Sequence, residues 1–161
     1  MSTDIFDQQI DAASLAFARS CFRPRYRVAW LTGGVQSGKS IAARRLADRH
    51  NWTYLDYSLT PGYFDQRVAD IQTYQPDDFI RDIRQWCQAV SEPVLIIDEI
   101  DALLAFWTET QRRIWAANMA WSAGLPCGLI LVTHFFEITQ LRSYLPDNDI
   151  QYCFDLSGEL L

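Results

Sequence analysis

The sequence GGVQSGKS, residues 33–40, decides the fold class of this chain. It matches the pattern G-x-x-x-x-G-K-[ST], with Gly33, Gly38, Lys39 and Ser40 in the fixed positions. Lys39 is the only lysine, and every other basic residue apart from two histidines is an arginine. An ammonium on a flexible stem fits between phosphate oxygens where a planar guanidinium does not. The pattern therefore predicts a phosphate-binding loop.

The residues on either side supply the strand and the helix that such a loop requires. Val28 to Leu31 predict a short buried strand before the loop, and Ile41, Ala42 and Leu46 recur at helical spacing after it. The N-terminus of that helix directs unpaired backbone N–H groups towards phosphate. The predicted phosphate-binding residues are Gly33, Gly34, Val35, Gln36, Ser37, Gly38, Lys39, Ser40 and Ile41.

Composition limits the possible classes of protein. A chain of 161 residues that is 49% hydrophobic can bury one sizeable core. A net charge of −6 argues against a protein that coats nucleic acid, because such binding needs excess positive charge. Arg19, Arg23, Arg25 and Arg27 form a local basic cluster, for which a solvated or subunit-facing edge is favoured over a nucleic-acid site.

Cysteine spacing and hydropathy indicate a cytoplasmic protein. The cysteines Cys21, Cys87, Cys127 and Cys153 contain no C-x-x-C pair, so they predict reduced core residues, not a zinc site or a disulfide framework. No apolar run reaches the length of a membrane span. The N-terminus is acidic, whereas a secretory signal begins with basic residues.

Strand patterns alternate with helix patterns along the chain, which predicts one α/β domain with a mostly parallel sheet. An amphipathic helix over residues 3–20 comes first, so residues 1–27 are interpreted as an N-terminal helix with a basic connector and residues 28–161 as the phosphate-loop domain. The other predicted strands are WTYLDYS, PVLIIDEID, CGLILVTHF and IQYCFDLS. The other predicted helices are QPDDFIRDIRQWCQAVS, the long ALLAFWTETQRRIWAANMAWSAG ending at Gly124, and EITQLRSYL.

Two acids end the apolar run VLII and predict the second half of the site. The carboxyl end of a buried parallel strand faces the ligand crevice in open α/β sheets. Asp98 is expected to hold Mg²⁺ together with Ser40. Glu99 is expected to polarise an attacking water, because it is a carboxylate near the metal and not one of its ligands.

With these motifs, residues 28–156 resemble a minimal P-loop ATPase of the additional-strand, catalytic-glutamate division, closest to the AAA+ ATPases. The resemblance implies a five-stranded parallel sheet in the order 5-1-4-3-2, flanked by helices on both faces. It places the strand GLILVTH between the loop strand and the strand that ends at Asp98. It also implies ATP and Mg²⁺ as cofactors.

The resemblance assigns two further catalytic positions. A polar residue at the tip of the inserted strand senses the γ-phosphate, and Thr133 is favoured for this role over His134. An arginine finger reaches the site of a neighbouring subunit from the end of the helix before the last strand, where Arg142 stands. Arg112 and Arg113 are weaker candidates for the finger.

The chain departs from the AAA+ pattern because LSGELL follows the last strand, where the family continues into a helical lid. The nucleotide site is therefore expected to be completed by the N-terminal helix, by another subunit or by a partner protein. Lidless ATPases of this kind resemble small accessory ATPases of bacterial phage-defence systems of the bacteriophage-exclusion type.

Three functions remain open from the sequence. The first is an ATPase that works through oligomerisation or a partner protein. The second is a small-molecule or nucleotide kinase, although no arginine-rich lid is evident. The third is a nucleotide-dependent scaffold with little hydrolysis, which the aromatic residues around the predicted long helix would suit. ATP is preferred to GTP because of the family resemblance and because no N-K-x-D motif is present.

Overall fold

The computed structural model describes residues 2–20, 27–34, 37–144 and 153–156, and for residues 2–7 and 20 the backbone alone. Val35 and Gln36 of the predicted loop, together with Cys21, Arg23 and Arg25, lie outside the described residues. In chain order, the elements are α1 Ser2–Ser20, β1 Val28–Thr32, α2 Lys39–His50, β2 Thr53–Asp56, α3 Phe64–Arg67, α4 Pro76–Ala89, β3 Val94–Asp98, α5 Asp101–Leu104, α6 Glu109–Ala120, β4 Gly128–Thr133, α7 Ile138–Tyr144 and β5 Cys153–Asp155.

The five described strands form one parallel sheet in the order β2-β3-β4-β1-β5. Read from the other edge, this is the predicted order 5-1-4-3-2, and β4 lies between β1 and β3 as expected. Every residue of β1, β3 and β4 is buried, because helices cover both faces of the central strands. The sheet is that of the P-loop ATPase fold.

Successive side chains of each strand point to opposite faces of the sheet, so the core has two layers. One layer packs the sheet against α4, α6 and α7, with Trp30 edge-on to Trp115 at 5.6 Å and Trp115 stacked on Phe79 at 5.4 Å. The other packs the sheet against α1 and α2. Large aromatic side chains therefore dominate one face, whereas aliphatic residues such as Leu31 fill the other.

The N-terminal helix α1 belongs to this second layer. Ile10 and Phe17 are buried in it. The Asp11 carboxylate lies 2.5 Å from His50 Nε2 and 3.3 Å from Arg49 Nη1, and both of these partners are in the last turn of α2. Helix α1 thus packs along α2, the helix that carries Lys39. No helix within the described ranges is long and apolar enough to cross a bilayer.

The prediction of one long helix after Glu99 is wrong, because the structure has two helices there, α5 and α6. Thr108 begins the second helix through a capping box: its Oγ1 accepts from Gln111 N at 3.2 Å, and its own N–H donates to Gln111 Oε1 at 2.9 Å. Arg112 donates to the carbonyls of Leu104 and Trp107 and so satisfies backbone groups at the break. Residues 108–113, TETQRR, contain no apolar residue, so the apolar periodicity is interrupted at this turn.

Candidate functional site

The loop between β1 and α2 forms one wall of the site. Gly38 has φ 88°, a left-handed conformation that an L side chain rarely adopts, and a Cβ built there would meet nothing within 4 Å. Gly38 is therefore required for its backbone conformation and not for space. Ser37 N donates to Gly34 O at 3.1 Å, which closes the turn before the helix begins at Lys39.

Lys39 folds back over this loop. Its Nζ donates to Gly34 O at 2.6 Å and to Ser37 Oγ at 3.4 Å. Burial lowers the pKa of Lys39 below its ordinary value, and the facing carboxylates, Asp101 foremost, oppose that change. The ammonium thus contacts two neutral oxygens at the mouth of the loop. An anionic ligand would bind the ammonium more strongly than these oxygens do and could replace them.

Asp98 ends β3 and is 3% exposed. Tyr54 on β2 donates its hydroxyl to Asp98 Oδ2 at 2.6 Å, and Glu99 N donates to Asp98 Oδ1 at 2.7 Å. These two donors fix the plane of the carboxylate. A carboxylate has about four acceptor sites, so Asp98 retains capacity for a cation. The sequence analysis gave no role to Tyr54, because its contact with Asp98 depends on strand pairing.

Glu99 turns the chain sharply at the end of the strand. Its φ is 62°, in the left-handed region that few residues other than glycine adopt. Its Oε1 accepts a hydrogen bond from Ser40 Oγ at 3.3 Å, so the predicted catalytic acid and the predicted metal ligand are already adjacent. Burial raises the pKa of Glu99 above its ordinary value, and the carboxylates of Asp98 and Asp56 raise it further.

Asp101, the first residue of α5, contacts both candidates for the γ-phosphate sensor, which lie at the tip of β4. Thr133 Oγ1 donates to Asp101 Oδ1 at 2.5 Å, His134 N donates to Asp101 Oδ2 at 3.1 Å, and His134 Nδ1 lies 2.5 Å from the same oxygen. Thr133 is fully buried, whereas the His134 side chain is 35% exposed. Sequence reasoning missed Asp101, although it is the third acid of the quoted DEID segment.

A cavity of about 500 Å³ connects the loop with the carboxyl ends of the strands. Its lining consists of Ser37, Gly38, Lys39, Ser40, Ile41, Asp98, Glu99, Asp101 and His134. Most of the predicted loop residues and both strand-end acids therefore meet at one place. Neither Thr133 nor Arg142 belongs to this lining.

The charge of the cavity bears on the predicted metal. Asp98, Glu99 and Asp101 place three carboxylates opposite the one ammonium of Lys39, so a polyphosphate would meet net repulsion without an accompanying cation. Among the described residues, no cluster of three or more His, Cys, Asp or Glu side chains forms a complete metal site. The oxygens of Ser40 and Asp98 suit Mg²⁺, which commonly takes few protein ligands beside phosphate and water.

The arginine candidates differ in their surroundings. Arg142 is exposed in the last turn of α7. Arg112 is engaged at the α5–α6 break and lies over the Phe135 ring at 4.7 Å. Arg113 pairs with Glu109 at 2.6 Å within α6. The role of an arginine finger stays a prediction for Arg142.

Solved structures that are similar to this chain share little of its sequence. No family model matches the sequence, and no curated protein is similar to it. The structure is similar to that of C. elegans PCH-2, with a TM-score of 0.50 and 17% identity over 92% of this chain and 42% of that one. The Walker-type ATPase PABY2304 of Pyrococcus abyssi gives a TM-score of 0.45 and 17% identity over 95% of this chain and 54% of that one. This chain thus spans roughly half of either protein.

Proposed function

We propose that this protein binds ATP with Mg²⁺ and hydrolyses it, acting through self-assembly or a partner protein. The observation that carries the proposal is the shared cavity in which Lys39 and the N-terminus of α2 face Asp98 and Glu99. A phosphate cradle and a pair of strand-end carboxylates are the two parts that nucleotide hydrolysis requires. The preference for ATP rests on the resemblance to AAA+ ATPases.

Each residue has a distinct part in the proposed reaction. The backbone N–H groups at the start of α2 and the Lys39 ammonium bind phosphate oxygens and neutralise their charge. Glu99 accepts a proton from the attacking water, and the raised pKa improves it as a base. Ser40 and Asp98 would hold Mg²⁺, which supplies Lewis-acid stabilisation of phosphate charge when bound. The products are ADP and inorganic phosphate.

The exposed aromatic side chains favour a role in a larger assembly. Phe106, between α5 and α6, is 64% exposed, and Trp121, directly after α6, is 53% exposed, whereas Trp107 and Trp115 are buried. Large exposed aromatic residues are enriched at protein interfaces. An accessory position in a multi-protein system, such as phage defence, stays a prediction.

The decisive test is Lys39→Ala with titration calorimetry against Mg-ATP. The side chain contacts the loop and not the core, so the variant should fold normally and lose ATP binding by about a hundredfold or more. Arg113→Ala is the matched control, because it removes one exposed cation outside the cavity. Equal affinity of Lys39→Ala and the parent would contradict the phosphate-loop assignment.

A further inference from the structure

A second cavity lies between α3 and α4. Its volume is about 180 Å³, and among the described residues it shares no lining side chain with the cavity that contains Lys39. Asp82, Gln85 and Trp86 line it from α4, because positions three and four apart lie on the same face of a helix. Sites for drug-sized ligands span about 300–1,000 Å³, so this cavity suits a smaller molecule.

The Tyr57 side chain ends at this cavity. Tyr57 directly follows β2 and is 1% exposed, and its hydroxyl has no hydrogen-bond partner among the described residues. Burial raises the pKa of Tyr57, the charge of Arg67 lowers it and that of Asp82 raises it, so the hydroxyl is a donor in neutral solution. Both charged residues line the cavity, which indicates that the hydroxyl faces it. A ligand that supplies the missing partner is favoured there, because an unpaired buried hydroxyl is unfavourable.

The other polar side chains of the cavity offer both donors and acceptors. The amides of Gln66 and Gln85 each carry two N–H donors and a carbonyl acceptor, and both side chains are exposed. Asp82 accepts from the Tyr74 hydroxyl through Oδ2, which leaves Oδ1 as an acceptor. A hydroxyl group donates and accepts at the same time, so a ligand with several hydroxyl groups matches this lining.

The charges around the cavity disfavour an ionic ligand. Arg67 Nη1 lies 3.5 Å from Asp70 Oδ2 and 4.0 Å from Asp82 Oδ2. The positive charge of Arg67 is thus already balanced by two carboxylates, and an added anion would meet net repulsion. A cation is disfavoured in turn, because the Arg67 guanidinium itself lines the cavity.

We propose that this cavity binds a neutral monosaccharide and that the Tyr57 hydroxyl donates to one of its oxygens. The amides of Gln66 and Gln85 bind neighbouring hydroxyl groups. Tyr63 and Trp86, which are half-buried and packed edge-on at 4.9 Å, contact the apolar C–H groups of the sugar ring. The site is separate from the proposed nucleotide site and does not depend on it.

The test titrates isotope-labelled protein with D-glucose, D-galactose, D-mannose and D-ribose and follows the side-chain N–H resonances of Gln66, Gln85 and Trp86 by NMR. At least one sugar should shift these resonances saturably, with or without Mg-ATP. Tyr57→Phe keeps the ring and should bind that sugar about threefold to tenfold more weakly, which corresponds to one neutral hydrogen bond. The Tm of this variant should not fall, because the hydroxyl has no partner in the described protein.

Gln85→Met is a second variant that leaves the core intact, since it removes an amide from an exposed position at the cavity. It should weaken sugar binding by a similar factor. Gln88→Met is the matched control, because Gln88 is exposed on the same helix and does not line the cavity. It should bind the sugar as the parent does.

Three outcomes would overturn the proposal. The first is that none of the sugars shifts the three side-chain resonances, as expected of a cavity that holds ordered water only. The second is parental affinity in both Tyr57→Phe and Gln85→Met, or an equal loss in Gln88→Met. The third is displacement of the sugar by Mg-ATP, which would place the sugar in the other cavity.

Discussion

Tyr54→Phe tests whether the second strand orients Asp98, the proposed metal-binding carboxylate. The change removes the hydroxyl that donates to Asp98 Oδ2 at 2.6 Å and retains the ring, over which the Arg44 guanidinium lies at 5.3 Å. Burial, followed by the adjacent Asp98 carboxylate, raises the pKa of Tyr54, so this hydroxyl remains a donor in neutral solution. Asp98 is 3% exposed, so water does not readily replace the lost donor.

The expected effects follow from that geometry. Loss of a hydrogen bond to a buried carboxylate should reduce the free energy of unfolding by about 1.5–3 kcal/mol. In a domain of this size, that corresponds to a fall in Tm of roughly 3–12 °C, measured by circular dichroism. Because the carboxylate is less well oriented, the Mg²⁺ concentration for half-maximal ATP binding should rise about 10–100-fold.

Tyr63→Phe is the matched control, since that ring packs edge-on against Trp86 at 4.9 Å and does not contact Asp98. It should leave the Mg²⁺ dependence unchanged. In an Asp98→Asn background, Tyr54→Phe should lose most of its effect, because the charged acceptor is gone. An unchanged Tm together with an unchanged Mg²⁺ midpoint in Tyr54→Phe would refute the argument that Tyr54 orients Asp98.

Glu99→Gln should bind ATP but hydrolyse it about 10²–10⁴-fold more slowly, measured as phosphate release, and turnover at the parental rate would remove Glu99 from the mechanism. Folding raises the pKa of Glu99, so the charged form of this side chain destabilises the folded state. The free energy of unfolding of Glu99→Gln should therefore increase relative to that of the parent as the pH rises from about 4 to 7. A difference in unfolding free energy that does not change with pH would contradict this. Thr108→Ala should cost about 0.5–2 kcal/mol in urea unfolding and Thr108→Ser much less; equal losses would mean that the cap is unimportant. Arg142→Ala should retain ATP affinity and lose at least about tenfold in turnover, and mixing it with Lys39→Ala should restore activity; a mixture that co-assembles but stays inactive would show that Arg142 does not act in trans.

Local patterns in the sequence predicted the strands and most of the helices. The strands β1, β3 and β4 are buried on both faces, so they consist of nearly continuous apolar residues that are visible without the structure. The phosphate loop is equally local, because Gly38 sets the backbone and Lys39 follows directly in the helix. The sheet order came from the resemblance and not from periodicity, since pairing is not encoded in a single strand.

The sequence alone determined the predicted phosphate-binding loop, the strand-end acids and the alternation of strands and helices, because each depends on residues a few positions apart. The tertiary structure alone decided which side chains assist them. Tyr54 reaches Asp98 because β2 pairs with β3 in the register Asp56 to Asp98, and Asp101 reaches Thr133 across 32 residues of sequence. The break at Thr108 has a signal in the sequence, the capping-box pattern T-x-x-Q over residues 108–111, which the prediction of one long helix overlooked. Contacts between distant residues depend on how the elements pack, and no short window of sequence contains that information.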